Sequence, residues 1–184
     1  MAVPGSPGIA AVEAQERTAM DEAAFRELYT RTARPLWGYL ARSTGSDTLA
    51  DDLLQETYFR MVRAGFQPEG EEHARNYLFK VATNLVRDHY RSPKKDTLPL
   101  EHSPAVEGPG HRVRLRRDVQ RLLEKLKPRE RELLWLGHVE QFSHQEIAEI
   151  LGLKPGSIRL LLFRARRKLA GLLTEADLGP EIMK

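Results

Sequence analysis

Between Phe142 and Leu169 the chain reads FSHQEIAEILGLKPGSIRLLLFRARRKL, and few folds accommodate that order of signals. Ser143 is a good N-cap, and Glu146 three residues on completes a capping box. Phe142 and Ile147 stand at the two positions of a hydrophobic staple, so the start of a helix is marked three times. Ile147, Ala148, Ile150 and Leu151 form its inward face, and Gly152 supplies a left-handed stop. Pro155 then sits where a first-turn proline opens a second helix, because its missing N–H would have no partner there. From Pro155 to Leu173 there is no acid, while Arg159, Arg164, Arg166, Arg167 and Lys168 accumulate. A helix-turn-helix with a cationic second helix suits the major groove of DNA, with phosphates on its flanks and base edges at its start. The plainer alternative is a helical hairpin with a solvated basic face. Cap, staple, glycine turn, proline and charge asymmetry agree against it.

The rest of the chain is also helical in pattern. Phe25, Leu28 and Tyr29, then Leu36, Trp37, Tyr39 and Leu40, recur at spacings of three and four, with Pro35 expected at a break between two helical pieces. Asp47 is expected to cap a helix over 48–64 with Ala50, Leu53, Leu54, Thr57, Tyr58 and Met61 inward, ended by Gly65. FQPEGEEH (66–73) is a loop by composition. A helix over 74–91 buries Tyr77, Leu78, Val81, Ala82, Leu85 and Val86. Its other face carries Arg75, Lys80, Arg87, His89 and Arg91 against one acid, Asp88. Residues 92–110 contain four prolines and no periodicity, as a linker does. Two further helices are expected over 113–126 and 128–140. No strand-type alternation survives anywhere. The expected architecture is all-α: a tail at 1–19, a small helical domain at 20–92, a proline-rich flexible linker at 93–112, a second domain at 113–173 and a tail at 174–184. Each domain is small enough to have only a modest core.

Charge and composition narrow the functional classes. Lys plus Arg is 29 and Asp plus Glu is 26, a net +3, so the placement of charge matters more than its sum. There is no cysteine, which removes disulfides, thiolate metal sites and a thiol nucleophile together. The amino terminus has no basic n-region and no apolar run long enough for a signal or a membrane helix, so the expected location is the cytoplasm, without membrane insertion. No phosphate-binding glycine loop, dinucleotide fingerprint or H-E-x-x-H is present. His138 and His144 lie near Glu140 and Glu146 but straddle a loop and a cap, so no metal and no catalytic role is assigned. Asp51, Asp52 and Glu56 form an acidic helix face without the backbone oxygens a hard cation needs. An acidic docking surface is the better reading, and no cofactor is expected.

Two segments, ADDLLQETYFRMVR (50–63) and ARNYLFKVATNLVRDHYR (74–91), together resemble the second conserved region of bacterial RNA polymerase sigma factors. The carboxyl-terminal helix-turn-helix resembles their fourth region. Both modules in this order, without the other sigma regions, resemble the extracytoplasmic-function (ECF) group of the sigma-70 family over roughly residues 20–172. The resemblance implies a sigma factor that binds core RNA polymerase through its β′ and β subunits and directs promoter recognition, DNA melting and initiation. It is not an enzyme in itself, and an anti-sigma factor is its usual inhibitor. Asp51, Asp52, Gln55, Glu56 and Arg60 would dock on the β′ coiled-coil. Arg75, Lys80, Asn84, Arg87 and Arg91 would hold the −10 element, Asn84 matching the family's characteristic asparagine. The loop Phe66–His73 would receive an unstacked base. Tyr77 stands where the family most often has Trp, and core packing suits Phe79 better than base contact. Ser157, Arg159, Leu160, Arg164, Arg166 and Arg167 would face the −35 element. There the chain departs from the pattern, since Leu160, Leu161 and Phe163 are apolar beyond what the inward stripe of Ile158, Leu162, Ala165 and Leu169 requires. Two uses suit them: contact with thymine methyls, or a patch covered by a protein partner.

Two other readings remain open on the residues alone. A stand-alone helix-turn-helix regulator would bind its operator tightly without polymerase. An interaction adaptor would set the basic helix against acidic protein and would lack a steep salt dependence on DNA.

Overall fold

The computed structural model describes residues 20–91 and 121–176. Expectations for 1–19, 92–120 and 177–184, the linker among them, lie outside the described residues. Three helices form the first module: α1 (Glu22–Thr44), α2 (Asp47–Arg63) and α3 (Glu71–Arg91). Each packs against the other two.

Helix α1 runs unbroken through Pro35, contrary to the expected break. The proline removes one hydrogen bond to the carbonyl of Arg31, an exposed residue whose carbonyl water can serve. Thr32, Leu36, Tyr39 and Leu40 are buried in a single stripe that keeps the helix continuous. Gly45, at φ 71°, stops it and donates to the Ala41 carbonyl. Ser46 caps α2, not Asp47: its hydroxyl accepts from the Leu49 amide at 3.2 Å. Asp47 is the first helical residue, where its negative charge meets the amino-terminal dipole. The third helix starts at Glu71, three residues earlier than expected, so the loop shrinks to 64–70. Two buried phenols find hydroxyl partners, Tyr39 with Thr83 at 2.8 Å and Tyr58 with Thr32 at 2.6 Å. Burial raises both, Tyr58 to about 12.

The second module comprises a helical piece over 121–124, α4 (Pro128–Leu134), a π-helical turn (Trp135–Val139), α5 (His144–Leu151) and α6 (Pro155–Glu175). The expected helix over 128–140 thus ends in a widened turn, in which the Glu140 amide donates to the Trp135 carbonyl five residues back. Gly137 sits in that turn under α6: a β-carbon there would lie 3.3 Å from Leu162 Cδ2. The capping box of α5 is present in both directions, with Ser143 N–H donating to Glu146 at 2.7 Å and Glu146 N–H donating to the Ser143 hydroxyl at 3.3 Å. Gly152 has φ 62°, and Pro155 opens α6.

The modules do not keep separate cores. One apolar cluster runs from Leu36 and Leu78 through Phe79 and Phe142 to Ile147 and Ile158. Phe79 is fully buried and meets the edge of Phe142 at 5.1 Å between ring centres, inclined by 72°. A smaller cluster of Leu126, Leu134 and Ala165 ties α6 to α4, and the Lys168–Glu130 pair at 2.7 Å closes its rim. Each three-helix unit is too small to cover all its apolar side chains, so the residue faces meet.

Candidate nucleic-acid and polymerase interfaces

The outward side of α2 brings the expected acidic residues together. Asp51, Asp52 and Gln55 are exposed, and Glu56 is half-buried. Asp51 accepts from the Trp37 indole N–H at 2.8 Å, and Glu56 accepts from Arg60 at 2.7 Å one turn on. These partners fix two carboxylates in place while Asp52 projects to solvent. Continuing along the same side, Phe59 and Val62 are 58% and 55% exposed. The sequence reading missed both. Their signal was an i, i+3 apolar pair left over once the inward stripe of α2 was complete. The outward side of α2 is therefore acidic over 51–56 and apolar at Phe59 and Val62, which a plain solvated face would not be.

On α3, Lys80, Asn84, Arg87 and Arg91 fall within about 60° of one another at 100° per residue. Lys80, Asn84 and Arg91 are exposed, and Arg87 is half-buried. An open cleft of ≈ 640 Å³ is lined by Asn84, Arg87, Asp88 and Arg91 of α3 and by Arg60 of α2. Three guanidinium groups around one carboxamide favour an anionic backbone with a hydrogen-bonding base edge beside it. Arg60 thus borders the cleft as well as the acidic patch. Nearby, Phe66 stacks on Tyr77 with ring centres 3.8 Å apart and planes 11° from parallel. His73 meets the edge of Phe66 at 5.0 Å.

Arg75 is not part of that stripe; it projects about 140° away from Lys80 around the helix. It reaches the second module, donating to the Glu140 backbone carbonyl and to its carboxylate at 2.8 Å. Its guanidinium also lies over the Phe142 ring at 4.1 Å. Glu140 is 6% exposed and accepts in addition from the Trp135 indole at 3.1 Å. No local pattern announces this pair, because its partners are 65 residues apart. Arg87 also crosses the junction, donating to the Leu151 carbonyl at 3.1 Å and facing Glu132 at 3.8 Å. Arg129 donates to the same carbonyl at 2.8 Å. Burial raises the Glu132 carboxyl above its ordinary range, against the opposing pull of Arg87 and Arg129. Asn76 completes the junction by donating to Glu149 at 3.2 Å.

Helix α6 turns its polar side outward. Ile158, Leu162 and Ala165 are buried, whereas Arg159, Arg164, Arg166 and Arg167 are exposed. Ser157 is half-buried and donates to the Lys154 carbonyl at 2.7 Å, which steadies the first turn. Leu160 and Phe163 are 51% and 55% exposed and occupy the middle of the cationic face. Leu161 differs from the expectation: it packs on the core, since it stands only one step around the helix from Ile158 and Leu162. Among the described residues no helix is long and apolar enough to cross a membrane.

Comparison with known proteins agrees with this geometry. Residues 28–95 match the family model for sigma-70 region 2, and residues 116–169 match that for sigma-70 region 4. RNA polymerase sigma factor CarQ of Myxococcus xanthus is 34% identical over 164 residues, 84% of this chain and 92% of the relative. The ECF RNA polymerase sigma factor SigM of Bacillus subtilis is 29% identical over 79% of this chain and 93% of its own length. Among solved structures, CnrH in complex with the cytosolic domain of CnrY superposes with a TM-score of 0.64 at 29% identity, over 89% of this chain and 96% of that one. The sigma factor RpoE bound to the anti-sigma factor NepR from Bartonella quintana has a TM-score of 0.66 at 22% identity, over 82% and 96% of the respective chains, a likeness of fold.

Proposed function

The chain belongs to the ECF group of the sigma-70 family of RNA polymerase sigma factors, which direct transcription initiation, and from that premise we propose how its surfaces divide the work. The patch of Asp51, Asp52, Gln55 and Glu56, with Phe59 one turn further on, binds core polymerase. The carboxylates set register and on-rate against a basic partner, and Phe59 supplies apolar area. The α3 stripe of Lys80, Asn84, Arg87 and Arg91 holds the non-template strand at the −10 element. Phosphates pair with the cations, and Asn84 offers a donor and an acceptor to a base edge. The outward face of α6 meets the −35 duplex, with Arg159, Arg164, Arg166 and Arg167 on phosphates and Leu160 and Phe163 against the groove floor. An anti-sigma factor restrains the chain by covering one or more of these faces, and the protein acts in the cytoplasm, with no catalytic step of its own. The first module spans 20–92 and the second 113–173.

The observation that carries this reading is the convergence of Arg60, Asn84, Arg87 and Arg91 on one open cleft beside the acidic patch. Two such footprints bind DNA weakly until polymerase fixes their separation. The test is transcription in vitro with purified core polymerase and a pool of genomic promoters. Defined start sites with a common upstream spacing are expected. Tight binding to promoter duplexes by the free chain, with no transcript on addition of core enzyme, would favour a stand-alone regulator.

A further inference from the structure

Helix α6 carries an apolar ridge along the centre of its cationic side. At 100° per residue, Gly156, Leu160, Phe163 and Arg167 fall within about 60° of one another, and all four are exposed. The ridge lies opposite the buried stripe of Ile158, Leu162 and Ala165. Arg164 stands on one flank, and Arg159 and Arg166 stand on the other, each about 70–90° from the centre line. From Gly156 to Phe163 the ridge offers no hydrogen-bonding side chain. Ser157 lies off the line and spends its hydroxyl proton on the Lys154 carbonyl. A β-carbon at Gly156 would meet nothing within 4 Å, so no packing within the chain calls for glycine there. Its bareness leaves Leu160 as the first side chain to reach a surface laid against the helix.

We infer that Leu160 and Phe163 are specificity-determining contacts for pyrimidine C5 methyl groups, thymine's above all, at two neighbouring base pairs of the −35 duplex. The inference rests on the duplex-facing role of α6 proposed above and names what that face reads. Charge chooses DNA as the occupant. Cations line both flanks of the pair and no acid occurs from Pro155 to Leu173, so a polyanion is drawn over the apolar centre. In the major groove the thymine methyl is the one apolar group that an unmodified base pair presents. A leucine or a phenyl ring pressed on the cytosine amino group, or on the guanine acceptors, strips water from them and returns no hydrogen bond. Pressed on a methyl, it removes apolar surface from water on both sides. Three residues of helix advance about 4.5 Å, close to the roughly 3.4 Å between successive base pairs. The two side chains therefore address adjacent steps, while the flanking arginines hold phosphates.

Promoters transcribed in vitro by core polymerase with the wild-type chain define the −35 element, and neighbouring thymines at a fixed place in it are expected. Deoxyuridine in place of those thymines removes the methyls alone. Promoter binding by the assembled polymerase, measured by competition, should then weaken about 3–4-fold for each methyl lost. Cytosine at the same positions should bind more weakly still, and 5-methylcytosine should recover about 3–4-fold. With Leu160→Ala/Phe163→Ala, its folding checked by circular dichroism, thymine and deoxyuridine templates should bind alike. Equal binding of the two templates by the wild-type chain would overturn the inference, and it is the result expected if the pair is instead covered by a protein partner. A double variant that still tells thymine from deoxyuridine would also overturn it, as would −35 elements that share no thymines. A wild-type chain that yields no transcript with core polymerase on any template would remove the promoter-directing role itself, a distinct outcome visible in the same assay.

Discussion

Removing the Arg75 side chain isolates one of the polar contacts that join the modules. In Arg75→Ala the Glu140 carboxylate, 6% exposed, keeps the Trp135 indole at 3.1 Å but loses the guanidinium at 2.8 Å. Breaking a buried pair from one side costs about 3–5 kcal/mol. The 30% exposure of Arg75 places this case at the lower end, because water partly screens the lost charge. The guanidinium over Phe142 adds roughly 0.5–1 kcal/mol. The expected loss is therefore about 3.5–4 kcal/mol in urea melts followed by circular dichroism. That corresponds to a fall in Tm of roughly 7–16 °C for a chain of this size. Glu140→Gln leaves Arg75 free to turn to solvent and should cost about 1 kcal/mol. The double variant should cost clearly less than the sum, with a coupling energy of about 1–2 kcal/mol. A coupling below ~0.5 kcal/mol would refute the reasoning, since residues more than about 7 Å apart give such values.

The other surfaces give sharper functional signatures. Asp52→Arg and Phe59→Ala should each weaken binding to core polymerase about 10-fold in a competition assay, while Tm moves by less than about 1 °C, because both side chains are exposed. Asn84→Ala should leave core binding unchanged yet slow open-complex formation, read by 2-aminopurine fluorescence at the −10 element; an unchanged opening rate would end its assignment. Arg167→Gln should lower the slope of log K against log salt by about 1 for a −35 duplex, and equally on every sequence tested. Gly152→Ala should cost about 1 kcal/mol of stability through its φ of 62° alone, since nothing lies within 4 Å of the added carbon.

The helix-turn-helix was legible because its signals are local. Ser143, Glu146, Gly152 and Pro155 act within four residues of their partners, and the structure places each in its expected role. Expectations failed where two local preferences competed. Ser46 and Asp47 are both able to cap, and the choice fell to the residue whose hydroxyl reaches Leu49. Pro35 disfavours a helix interior, but a continuous buried stripe from Thr32 to Leu40 outweighs roughly 3 kcal/mol of lost bonding and clash. Arg87 and Arg91 were legible on one helix face and Asn84 came with the family resemblance, whereas the arrival of Arg60 at the same cleft needed the angle between α2 and α3. The diversion of Arg75 to Glu140 was beyond sequence reading, because neither residue is unusual in its own neighbourhood.

The Leu151 carbonyl has two guanidinium donors, one from each module. A carbonyl oxygen has two lone pairs, so both bonds coexist, and neither is indispensable. When Arg87 departs, Arg129 stays behind, and the helix end is never left without a donor. Loss of Arg87 therefore leaves no orphan at this carbonyl, although it also takes a cation from the buried Glu132 carboxylate. The end of α5 thus keeps a donor from its own module, and the turn into α6 stays anchored at Arg129 whatever becomes of the contact with α3.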